Sequence, residues 1–313
     1  MDYTILGRTG LKVSRMGLGC GGHSRLGMST GSTESEAIAV VQAALDLGVN
    51  FIDTAESYRT EEIVGRAIKG VSREQVVLST KAGPYWQEAP CPPNKMKERV
   101  EASLMRLQTD YIDVFHLHGV TPEEYAHALD PLVPCLQDLQ AEGKIRFIGI
   151  TEQFITDNDH RMLQQALKAG CWDVMMVGHS LLNRSARHLV LAATQRQNIG
   201  TLCMFAVRRA LSRPEALKEL MSGLVAKGTV DEGDFDPEEP LWFLLADGTV
   251  TTLAEAGYRF CRHEPGLDVI LSGTGKIAHL KENYASLMKP PLSAKMLERL
   301  EALFGKVDCV SGN

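Results

Sequence analysis

From Val13 to Phe304, short apolar stretches alternate with amphipathic ones without a break in composition. Strand-like segments fall at Val13–Leu18, Val49–Ile52, Gln75–Lys81, Tyr111–Leu117, Lys144–Ile150, Asp173–Val177, Thr201–Phe205 and Asp268–Leu271. They are rich in Val, Ile and Phe, as strands buried on both faces should be. Helical spacing follows at Glu61–Lys69, Lys95–Leu107, Pro131–Glu142, Asp157–Ala169, Ser185–Gln195, Pro214–Val225, Leu253–Arg262 and Ile277–Leu287. Thr33 and Glu36 form a capping-box signature for a helix to about Leu47. Eight such units in one unbroken run predict a single-domain (β/α)8 TIM barrel over residues 1–313. Two additions flank it. Tyr3–Leu6 and Lys12–Val13 surround Gly7–Gly10 as an N-terminal β-hairpin, and Ser293–Phe304 is an extra C-terminal helix. The Gly-rich, acidic stretch 226–250 interrupts the seventh unit and reads as a mobile or accessory segment, with 206–250 forming a wall or lid.

Composition narrows the class. A chain of 313 residues buries a large core and needs no staples. Its net charge of −6 argues against general nucleic-acid binding but leaves room for a local basic pocket. Seven cysteines without a C-x-x-C pair point to a reducing compartment rather than a disulfide framework. The first residues lack the basic flank and apolar run of a signal peptide, and no run is long enough to span a membrane. These features predict a cytoplasmic protein with no membrane and no nucleic-acid partner. Nothing in the pattern reads out an oligomeric state.

In a barrel of this kind, chemistry belongs at the C-terminal ends of the strands. Asp53 ends the second strand, with Tyr58 in the loop beyond; Lys81 ends the third, His118 the fourth, and Thr151-Glu152 the fifth. Each alone fits a structural ion pair or a satisfied core group. Together they suit proton transfer. An ammonium near a phenol stabilises the phenolate, a carboxylate keeps that ammonium charged, and an imidazole orients the reacting oxygen. Such a set protonates an oxygen that gains negative charge, as a carbonyl does on accepting hydride.

At these positions the sequence resembles the aldo-keto reductase family. The matching motifs are LGRTGLKVSRMGLG (6–19), FIDTAESY (51–58), STKAG (79–83), DYIDVFHLH (110–118), GKIRFIGIT (143–151) and SGTGKIAHLKEN (272–283). The resemblance spans nearly the whole chain in the right order. It implies interconversion of aldehydes or ketones and alcohols with a nicotinamide nucleotide, NADP(H) first and NAD(H) second. It makes Tyr58 the general acid/base, Asp53 and Lys81 its tuning groups, and His118 the residue that orients the carbonyl. It places Phe205 against the nicotinamide. Ser272, Gly273, Thr274, Lys276 and His279 fall near an adenosine phosphate, and Glu282 and Asn283 near adenine. Arg208 and Arg209 are placed by charge to clamp a pyrophosphate. Tyr85 and Trp86 are the expected apolar walls for a small carbonyl or alcohol substrate.

The departures from the family pattern are specific. Thr151, Glu152 and Met176 stand where the family commonly has Ser, Asn and Gln gripping the nicotinamide carboxamide. An ionised Glu152 accepts but cannot donate, and Met176 does neither usefully. Arg59 replaces a common Gly after the Tyr, and His279 a frequent Arg.

Other motifs read differently. Gly17-Leu-Gly19-Cys-Gly-Gly22 fits a dinucleotide fingerprint, but no helix pattern opens directly after it. Gly275-Lys276 lacks the remaining residues of a P-loop. His116 and His118 point to one strand face and, with His179, could bind zinc in a metal-dependent hydrolase. No matching carboxylate ends the eighth strand. His116 then sits one layer below His118, needing a hydrogen-bond partner. A nucleotide-sensing subunit with little turnover is a further alternative.

Overall fold

A computed structural model describes residues 1–313. Its strands are β1 (Tyr3–Ile5), β2 (Lys12–Ser14), β3 (Met16–Gly19), β4 (Phe51–Asp53), β5 (Val77–Ala82), β6 (Tyr85–Trp86), β7 (Ala89–Pro90), β8 (Ile112–Val120), β9 (Ile145–Glu152), β10 (Val174–Gly178), β11 (Gly200–Met204) and β12 (Val269–Ser272). Eight of them close a parallel barrel in the order β3-β4-β5-β8-β9-β10-β11-β12, with β12 pairing back onto β3. The (β/α)8 expectation is met, and no helix is long and apolar enough to cross a membrane.

β1 and β2 form the N-terminal hairpin, antiparallel in the register Tyr3↔Ser14. It seals the barrel floor. Leu6, Leu11 and Val13 pack into one apolar cluster with Phe51, Val77, Val114, Val174, Met176, Leu202 and Val269 from inside the barrel. The Arg8 N–H also donates to the Asn198 carbonyl at 2.7 Å. A segment read from sequence as one strand, Val13–Leu18, is therefore two. Its first residues end the hairpin, and the chain turns at Ser14–Arg15, where the Ser14 hydroxyl donates to the Met16 carbonyl at 2.7 Å.

Side-chain caps set three of the helix starts. Thr33 and Glu36 cap each other's backbone at the head of helix Glu34–Asp46. Thr252 and Ser293 cap helices Leu253–Arg262 and Ala294–Phe304, the latter being the expected extra helix. Elsewhere tertiary contacts overrode periodicity. The helix expected over Asp157–Ala169 is only Arg161–Ala166, because the Asp157 carboxylate accepts the Arg161 and Met162 N–H groups and so ends the chain's approach. The helices expected at Pro131–Glu142 and Ser185–Gln195 run as Val133–Ala141 and Ala192–Gln197, each entered through a wide π-type turn. Beyond helix Pro214–Ala226, the stretch 227–250 holds only the short turns Glu232–Asp234 and Trp242–Leu244. It stays away from the barrel mouth, so the expected lid shrinks to 206–213.

Candidate active site

A cavity of about 1180 Å³ opens at the C-terminal ends of the barrel strands. Asp53, at the end of β4, and Lys81, near the end of β5, meet in its floor. Lys81 Nζ lies 2.7 Å from Asp53 Oδ2 and 2.6 Å from the Thr54 carbonyl, and the Ser79 hydroxyl donates to Asp53 Oδ1 at 2.8 Å. The Lys81 side chain is 0% exposed. A charge that deep survives because it is paired with a carboxylate and donates to two oxygens. Burial alone lowers the pKa of the ammonium, but the charge and hydrogen bond of Asp53, with Tyr58 and Cys20, together hold it above its ordinary value.

Tyr58 stands over this pair. It ends a 3-10 turn, Glu56–Tyr58, braced from outside by Arg99, whose Nε and Nη2 donate to Glu56 at 2.9 and 2.5 Å. Lys81 Nζ is 5.0 Å from the Tyr58 ring centroid. The sequence argument has the ammonium lowering the phenol pKa, and Lys81 does act in that direction. Burial is the larger effect, and the net shift is upward. Tyr58 is therefore a neutral phenol at neutral pH. His118 Nε2 lies 3.3 Å from the Tyr58 hydroxyl, with the rings edge-on at 5.4 Å. β8 is irregular between Leu117 and Val120, and this bulge aims His118 at the mouth. Burial, then the charge of Lys81, pushes its imidazole down to about 3, so it is neutral above that pH.

Arg59 follows Tyr58 with φ +60, the left-handed conformation. Its side chain is exposed and makes no hydrogen bond that would offset the strain. A non-Gly residue there costs about 1–2 kcal/mol. Arg59→Gly is accordingly expected to raise unfolding free energy by about 1 kcal/mol in urea melts, less the chain entropy of glycine. No gain would mean that the Arg59 side chain stabilises the turn in solution.

The rest of the cavity is cationic. Arg25, Arg208, Arg209, Arg213 and Lys276 line it, with His23 and His279, against Asp53, Glu152 and Glu282. Lys276 precedes helix Ile277–Leu287, whose first N–H groups have no side-chain cap and are free for an anion. Arg208 lies 4.4 Å from the Phe205 ring centroid, and its Nε donates to the Asn313 side chain at 2.7 Å. Arg209 is more than half exposed, 4.0 Å from Glu219. Gly273, Thr274, Lys276, His279, Glu282 and Asn283 all line the cavity, as do Thr151, Met176 and Phe205.

Several expectations need correction. Ser272 lies outside the lining; its hydroxyl is 3.0 Å from Tyr258 Oη and accepts from Asn283 Nδ2 at 3.0 Å. Glu152 borders the cavity, but its carboxylate is 0% exposed and turned inward. It accepts the Gly178 N–H at 2.7 Å and pairs with His160 at 2.9 Å. Tyr85 and Trp86 are not brought to the cavity. They form β6 of a small hairpin with β7, and Trp86 packs beneath Lys95 and Arg99 at 4.5 and 5.4 Å. His116 does sit below His118, in the space left by Gly149, but neither of its ring nitrogens has a hydrogen-bond partner. Burial pushes its pKa well down. His179 is elsewhere, stacked on Phe260 and 3.6 Å from Glu264. The three histidines of the zinc alternative do not converge, and no three His, Cys, Asp or Glu side chains are grouped for a metal. Sequence reasoning missed Arg25, Arg213, Gln153 and Phe154 in the lining. The strand-end rule reaches Phe154 and Gln153, just beyond β9; nothing marks Arg25.

Comparison with known proteins agrees on the family and the fold. The model of the aldo/keto reductase family matches residues 15–304. The chain is 31% identical to the aldo-keto reductase YhdN of Bacillus subtilis, over 90% of this chain and 87% of that one. It is 33% identical to the NADH-specific methylglyoxal reductase of Escherichia coli, over 61% and 63%. Its fold is similar to that of an aldo/keto reductase from Klebsiella pneumoniae solved with NADP and acetate. There the TM-score is 0.69 and identity 25%, with 97% of this chain and 96% of that one covered.

Proposed function

Since the chain belongs to the aldo/keto reductase family and is an NAD(P)H-dependent oxidoreductase, we propose that it reduces a small aldehyde or ketone with NADPH, using Tyr58 as the proton donor. One observation carries this reading. A neutral phenol stands over a buried, hydrogen-bonded Lys81–Asp53 pair and within 3.3 Å of a neutral imidazole, at the rim of a cationic cavity.

The residues present fit a dinucleotide. Basic side chains and an uncapped helix N-terminus suit its phosphates, and the Phe205 ring, at the end of β11, suits a flat heterocycle. When bound, the nicotinamide supplies hydride to the carbonyl carbon. The chain does the rest. His118 offers its Nε2 side to the substrate oxygen and fixes its direction. Tyr58 Oη gives its proton to that oxygen as charge develops. Lys81 stabilises the phenolate left behind, and Asp53 keeps Lys81 charged and still. In the reverse direction the same groups return the proton. The preference for NADPH over NADH rests on Lys276, His279 and the free helix N–H groups beside them.

A fluorescence titration of the purified chain with NADPH and, separately, NADH tests this. The expected result is tight NADPH binding, NADH weaker by about tenfold or more, and a loss of that difference in Lys276→Met; an ionic contact to one phosphate is worth that much. Equal affinity for the two nucleotides would overturn the 2′-phosphate site. Binding of neither would overturn the nucleotide reading and leave a protein without hydride chemistry.

A further inference from the structure

Behind the ends of β9, β10 and β11 lies a connected wall that the proton-transfer chemistry does not use. His160 Nδ1 is 3.0 and 2.9 Å from the two Glu152 carboxylate oxygens, and its Nε2 is 3.1 Å from the Ser185 hydroxyl. The imidazole stacks on the Phe154 ring, centroids 5.2 Å apart and planes 18° from parallel. Phe154 packs edge-on against Phe205 at 5.3 Å and 74°. The ring is seated directly on backbone, since a Cβ at Gly178 would come within 2.2 Å of it. Phe154 and Phe205 line the cavity, while His160 and the Glu152 side chain are wholly buried.

This wall holds a strained residue. Phe205 leaves β11 with φ +68, which a non-Gly residue keeps only when its surroundings fix it. The polar side of the same region is depleted. The Glu152 carboxylate is turned away and Met176 offers no donor and only a weak acceptor, while the Thr151 hydroxyl accepts the Gly119 N–H at 2.7 Å and keeps its own O–H to donate.

Resting on the nicotinamide-nucleotide reading, we propose that this chain holds the nicotinamide ring by shape and stacking in the Phe205–Phe154 corner, without a side chain that accepts a hydrogen bond from its carboxamide NH2. His160 is then a positioning residue: anchored by Glu152 and Ser185, it backs Phe154, and Phe154 sets Phe205. Glu152 acts only through His160 and touches no cofactor atom.

Equilibrium binding of three probes tests this: NADP+, its 3-acetylpyridine analogue, which has a methyl group in place of the carboxamide NH2, and 2′,5′-ADP, which lacks the nicotinamide half. In the unmodified protein, NADP+ and the analogue should bind within about threefold of each other. A lost hydrogen bond from the carboxamide NH2 would separate them by about tenfold or more. Phe154→Leu, which keeps bulk but removes the ring, and His160→Asn, which keeps a donor for Glu152 but removes the stack, should each weaken NADP+ about tenfold. Both should leave 2′,5′-ADP within about twofold. A tenfold preference for NADP+ over the analogue would overturn the proposal. So would equal weakening of NADP+ and 2′,5′-ADP in both variants, which would mark a merely structural wall. If the unmodified protein bound 2′,5′-ADP and NADP+ not at all, the nucleotide reading itself would fall, and this proposal with it.

Discussion

Tyr58→Phe should lower the turnover number for carbonyl reduction by roughly 10²- to 10⁴-fold, the range for removing a positioned general acid. NADPH affinity should stay within about twofold, because the lost hydroxyl faces His118 across 3.3 Å and not the phosphate side of the cavity. The substitution removes no buried partner, since the hydroxyl's one neighbour is an imidazole at the cavity rim. A pH profile sharpens the assignment. The His118 imidazole is held down to about 3, and burial raises the Tyr58 phenol above its ordinary value of 10. Reduction needs Tyr58 protonated, so the rate is lost only as pH rises through the raised phenol pKa. It should be flat from about pH 5 to about pH 9. A break near pH 6.5 would show that His118 titrates in the working range and would reverse its role as a neutral group. Wild-type turnover in Tyr58→Phe would sink the proton-donor assignment outright.

Asp53→Asn should be strongly destabilising for so conservative a change. It leaves the Lys81 ammonium, 0% exposed, without its carboxylate, and breaking a buried pair in this way costs about 3–5 kcal/mol. Loss of activity in that variant would not separate catalysis from folding. The double variant Asp53→Leu/Lys81→Met does. Two apolar side chains replace the pair without leaving a bare charge, which is often neutral for stability. Urea melts should show most of the lost stability recovered, while turnover stays down by roughly 10²-fold or more, as when one stabilising donor is removed from a developing charge. Full turnover in the stable double variant would mean that Lys81 and Asp53 serve the fold alone.

The cluster of Asp53, Tyr58, Lys81 and His118 was legible because a barrel converts strand ends into a site. Asp53, Lys81 and His118 each close an apolar strand, and the closed sheet brings those ends to one rim whatever the loops do. Tyr58 needed only the short loop after β4. The cofactor side was less legible. Glu152 stands at a strand end like the others, but its carboxylate turns away from the cavity to His160 and Gly178. That direction depends on a loop residue eight positions away whose side chain has no sequence signature. Ser272 was drawn off by Tyr258 and Asn283 in the same manner. Tyr85 and Trp86 looked like pocket walls because they are aromatic and follow β5. The cations of Lys95 and Arg99, on helix Pro93–Leu107, instead hold Trp86 on the outer surface.

The alternation of apolar and amphipathic segments by itself determined the barrel, its single domain and the residues that can reach its mouth. Those features follow from periodicity, which is local and additive along the chain. Tertiary structure alone decided the charge state of Tyr58, where burial outweighs Lys81, and the orientation of Glu152. It also decided the φ +68 turn at Phe205 and the wall of Phe154 and His160 behind it. Each of these is a competition between groups far apart in sequence, settled by distance and desolvation, which no local pattern encodes.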